Sequence, residues 1–60
     1  MLKNDLKRLK NRVQRFRQEV KYAIEMDMDL NFINQKLEKL EAAQKQYERA
    51  YAFFFQSKNL

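Results

Sequence analysis

Sixty residues make one small domain at most, and such a chain buries only about 60% of the surface it exposes when unfolded. It has neither cysteine nor histidine, so a disulfide and a thiolate or imidazole zinc site are both excluded as staples, and association is the expected way to complete its core. Zero glycine and zero proline, at 35% charged and 45% hydrophobic residues, exclude turn-rich β folds and leave an all-α class with a net charge of +5.

From Leu2 the apolar positions Leu2, Leu6, Leu9, Val13, Phe16, Val20 and Ala23 alternate steps of four and three. This is a heptad seam, and it predicts a first helix over about residues 2–26. Leu6, Val13 and Val20 take the a positions, and the frame would place Asp27 at the next one. A carboxylate there argues for a break.

The same helix holds all the excess charge. Lys3, Lys7, Arg8, Lys10, Arg12, Arg15, Arg17 and Lys21 stand against Asp5, Glu19 and Glu25, whereas five basic and five acidic residues balance in the rest. Lys3, Lys7, Lys10, Gln14, Arg17 and Lys21 follow one another by four and three along a stripe about 27 Å long. Such a stripe suits a phosphate backbone or an acidic protein surface. The plainer reading is a solvated face that keeps a small apolar protein in solution.

Between Glu25 and Phe32 the helical spacing gives way to strict alternation, and Asp27, Asp29, Asn31 and Asn34 cluster in or just after this stretch. Their side chains compete for backbone hydrogen bonds, so the bend of a helical hairpin is predicted over about residues 27–30. The rival is one unbroken helix about 85 Å long, and the lack of a glycine at the helix end favours that rival. Asp and Asn also adopt the left-handed conformation and cap helices, which favours the hairpin.

A second helix is expected over about residues 30–57, with a seam of Leu30, Ile33, Leu37, Leu40, Gln44, Tyr47, Tyr51 and Phe54, shifted by three residues against the first frame. The arms match in length and would pair along it, and two hairpins closing their open edges would make a four-helix bundle, a homodimer. Gln44 on that seam is either a polar pair that sets register or a mark of a wider core. Tyr22, Phe32 and Phe53 fall at c positions, off the seams, and Phe55 at a seam's edge. For Phe32 and Phe55 the plainer role is closing the ends of the core. Phe53 looks outward whenever Phe54 looks in, which makes it the best aromatic candidate for a partner contact.

Chemistry has little to work with. Ser57 is the only hydroxyl nucleophile outside the tyrosines, and no nucleophile and base pair forms without histidine or cysteine. Asp27 and Asp29 lack calcium-loop spacing, and no Glu-x-x-His supplies a bundle metal site. The chain is therefore read as a non-enzyme with no cofactor and no metal. Its apolar runs are too short for a membrane span and its N-terminus has no apolar signal core, so a cytoplasmic location is expected.

Val13-Gln14-Arg15-Phe16-Arg17-Gln18-Glu19-Val20 is similar to the first helix of the small helical-hairpin aspartyl-phosphate phosphatases that act on a sporulation response regulator. Asn34-Gln35-Lys36-Leu37-Glu38-Lys39-Leu40 resembles their second-helix signature Ser-Gln-x-Leu-Asp-x-Leu, with Asn34 in place of the Ser and Glu38 in place of the Asp. What this resemblance implies is a regulatory hairpin, not phosphatase activity. At the level of fold alone, plasmid-copy-number regulators that dimerise as helical hairpins on paired RNA loops are a second analogy. The expected function is thus a small regulatory or adaptor protein that docks on a larger protein, with Lys3, Lys7, Lys10, Arg17, Lys21 and Phe53 as contact residues. The alternative is an RNA- or DNA-binding dimer using the basic first helix.

Overall fold

The structure, a computed structural model, describes residues 3–59, with side chains over 3–56. Leu2 of the first seam and the side chain of Ser57 lie outside these residues. Two helices, α1 (Lys3–Glu25) and α2 (Leu30–Asn59), fold back on each other as an antiparallel hairpin. Its principal extents are 48 × 15 × 11 Å, which rules out the single helix of about 85 Å.

The bend is built by two aspartates with different tasks. Asp27 adopts a left-handed backbone with φ of 54°. This lets its own N–H donate to the Ile24 carbonyl at 3.1 Å while the Met28 N–H donates to the Ala23 carbonyl at 3.0 Å. The pair of bonds is a Schellman closure, with Asp27 in the place that glycine usually holds. Asp29 then starts α2: its Oδ2 accepts from the Asn31 N–H at 3.1 Å and its carbonyl from the Ile33 N–H at 3.0 Å. It is the N-cap, and Met28 and Ile33 occupy the flanking positions of a hydrophobic staple.

On α1 the packed face is the expected seam. Val13, Val20 and Ala23 are buried, and Leu6, Leu9 and Phe16 are half-buried. On α2 the face is rotated from the expected one. Ile33, Leu40, Tyr47 and Phe54 do turn inward, but Lys36, Ala43 and Ala50 lie between them where Leu37 and Tyr51 were expected, and Gln44 stays half-buried at the flank. Ala43 and Ala50 are buried, whereas Leu30, Leu37 and Tyr51 are 74%, 42% and 46% exposed.

Size explains the rotation. Alanines on the line of contact let two helix axes approach closely, and larger side chains then pack on either flank. Leu37 and Tyr51 are displaced by that choice. The resulting core is small: among the described residues the buried hydrophobic ones are Val13, Val20, Ala23, Ala43 and Ala50, and no large side chain is fully buried.

Candidate functional site

Two broad faces of the hairpin differ in chemistry. On the first, Lys3, Lys7 and Lys10 of α1 line a groove of about 620 Å³ with Leu6 and with Tyr47, Tyr51, Phe54 and Phe55 of α2. Heptad spacing continues both walls along the hairpin. Lys3, Lys10, Arg17 and Ile24 follow by sevens on α1, and Leu30, Leu37, Gln44 and Tyr51 do so on α2. Leu30, Leu37, Tyr51, Phe55 and Ile24 are exposed along this face. The lysine stripe therefore borders an apolar strip.

The second face is arginine-rich. Arg12 and Phe16 share a groove with Lys39, Ala42, Ala43 and Gln46, and Arg8, Arg12 and Arg15 line its continuation on α1. The guanidinium groups of Arg12 and Arg15 sit 5.7 and 5.9 Å from the centre of the Phe16 ring, a cation–π distance. Phe32, Lys39, Gln46 and Phe53 run along this side of α2 by sevens.

Toward the bend the same face holds a depression of about 440 Å³, lined by Arg15, Gln18, Glu19, Tyr22, Met28, Phe32 and Lys36. Lys36 Nζ donates to Glu19 Oε1 at 2.7 Å and lies 5.3 Å from the centre of the Phe32 ring. The bond from Lys36 holds the Glu19 carboxyl below its ordinary pKa. Each charge of the pair is answered by the other, which leaves Arg15 as the further charged group in the lining of this depression. Among the described residues no cluster of three or more metal-ligating side chains occurs, and no helix is long and apolar enough to cross a membrane.

The six residues singled out in the sequence do not form one site. Lys3, Lys7, Lys10, Arg17 and Lys21 follow one flank of α1, with the first three in the apolar groove, while Phe53 stands 55% exposed on the arginine side of α2. Sequence reasoning misses Leu30, Leu37 and Tyr51 as surface residues because the apolar spacing of α2 places them in the core. Arg8, Arg12 and Arg15 do not continue the lysine stripe, so a reading that follows the stripe passes over them although their three- and four-residue spacing is visible. No protein-family model, curated protein or solved structure matches this chain.

Proposed function

We propose that this chain is a non-enzymatic regulatory or adaptor protein that works by presenting helix faces to other proteins. The observation that carries the reading is its unburied apolar surface. Among the described residues ten large apolar side chains, from Tyr22 to Phe55, are exposed, while the core consists of valines and alanines. The accessible surface is 5303 Å², against about 4200 Å² for a compact monomer of this mass. An excess near a quarter of the expected surface goes with the elongated two-helix shape, which leaves the apolar side chains uncovered, and exposed apolar patches of this kind mark interaction surfaces. The similarity of residues 13–40 to the sporulation-regulatory hairpins leans the same way.

Phe53 on the arginine face is the proposed anchor for the larger partner. Immobilised chain should retain a specific protein from nuclease-treated host lysate, and Phe53→Ala should weaken the interaction with the purified partner by about 1 to 3 kcal/mol. Undiminished binding would sink this assignment.

A second reading has its own observation. Arg8, Arg12, Arg15 and Lys39 gather on one face from both helices, as a phosphate backbone requires. Gel shifts with duplex DNA and structured RNA at about 150 mM salt test it, and the adaptor reading expects no shift.

A further inference from the structure

The groove face is apolar along its middle and carries opposite charge along its two edges. Lys3, Lys10 and Arg17 make the edge on α1. On α2 the edge lies beyond Leu37, Gln44 and Tyr51 and consists of Glu41 and Glu48, each four residues after one member of that row and three before the next. We propose that a second copy of this chain covers this face, with a two-fold axis parallel to the helices, so that each α1 lies over the partner's α2. This rests on the protein-binding reading and names one occupant of the exposed surface.

Area and charge both select that occupant. A face of 48 × 15 Å offers about 700 Å², close to the ~800 Å² that each partner gives to a standard interface. A two-fold axis parallel to the helices keeps every residue at its own level along the hairpin. Within one chain Glu19 meets Lys36 across the hairpin, so antiparallel counting sets Lys10 level with Lys45 and Arg17 level with Glu38. At those levels the partner's Glu48 arrives within a turn of Lys10 and the partner's Glu41 within a turn of Arg17. Gln14 and the partner's Gln44 come within a turn of each other between them, so the polar residue of the α2 row meets a polar residue.

Other arrangements fare worse. An axis across the helices would stack α1 on α1 and confront Lys3, Lys10 and Arg17 with their own copies, a like-charge contact along the whole edge. An unrelated acidic helix would satisfy the lysine edge but would set its charge against Glu41 and Glu48. Glu41 meets Lys45 of its own chain at 3.7 Å, between two highly exposed side chains, a contact weak enough to yield to a better one.

Sedimentation equilibrium on the full chain, with helicity followed by circular dichroism, tests the arrangement. The wild-type chain should dimerise reversibly, and Lys10→Glu with Arg17→Glu should raise the dimer Kd roughly tenfold or more. Adding Glu41→Arg and Glu48→Lys to that variant should restore the dimer. Leu37→Glu should dissociate it while leaving the helices formed. A wild-type chain still monomeric at about 1 mM overturns the proposal. So does a charge-reversed α1 that leaves the dimer unchanged, the result expected of α1-on-α1 stacking, where a Glu set against its own copy repels as the Lys or Arg did. Phe53 lies on the opposite side, so a monomer that still binds its partner through Phe53 overturns the dimer and leaves the adaptor reading standing.

Discussion

Asp27 does at the end of α1 what glycine does at the end of many helices, and it does so with a Cβ that crowds the left-handed backbone. Asp27→Gly removes that crowding but gives the unfolded chain more freedom, so a net stabilisation of about 0.5 to 1 kcal/mol is expected. Asp27→Val, branched at Cβ, should lose about 1 to 2 kcal/mol. Asp29→Ala removes the acceptor for the Asn31 N–H and should cost about 1 kcal/mol. Urea denaturation of the four chains side by side would measure all three shifts, and a neutral Asp29→Ala would dismiss its role as a cap. The bend was legible at this scale because aspartate has few good reasons to interrupt an apolar seam. Which aspartate turns and which one caps was not, because both side chains are competent for either task.

Between elements, legibility depended on how many frames a helix offers. On α1 every three- or four-residue step meets an apolar residue and no second series competes, so the seam could be read directly. On α2 two frames share Ile33, Leu40, Tyr47 and Phe54, and they differ in having Leu37, Gln44 and Tyr51 or Lys36, Ala43 and Ala50 between. Counting hydrophobicity favours the first, while close approach of the helices selects the second, and single-sequence patterning contains no interhelical distance. The frames make opposite predictions. Ala43→Leu should overpack the contact and cost about 1 to 3 kcal/mol, whereas Gln44→Leu should leave the stability of the hairpin nearly unchanged. On α1, Val13→Asp places an unpaired carboxylate in a very small core and should unfold the chain at room temperature, as loss of the helical circular dichroism signal would record.

The ion pair between the helices adds a pH dependence whose sign follows from Glu19. Its carboxyl is held below its ordinary pKa by the bond from Lys36, so the folded state favours the ionised form. The contribution is complete above the unfolded pKa and is lost as pH falls through the lower folded value. Stability should therefore decline in the acid range, below about pH 4, and Glu19→Gln should flatten that part of the decline. A melting curve whose acid limb is unaltered in Glu19→Gln would assign the acid sensitivity to other carboxylates.

For the whole molecule, the arrangement of two copies decides what remains available for function. If each α1 covers the partner's α2, the apolar faces meet and the arginine faces, each with a Phe53, point outward on opposite sides. Such a dimer is bivalent, and two modest contacts to a repetitive or dimeric partner then act together. Scattering gives a direct measure of this arrangement. The hairpin has a Cα radius of gyration of 14.1 Å. Two hairpins stacked with layers about 10 Å apart add only half that separation in quadrature, so the dimer should reach about 15 Å at twice the chain mass. Hairpins joined end to end, with centres 48 Å apart, would instead approach about 28 Å. Small-angle scattering with light scattering on the same sample separates these values easily. A doubled mass near 15 Å supports a face-to-face bundle, and one near 28 Å shows that the apolar face is still open in the dimer.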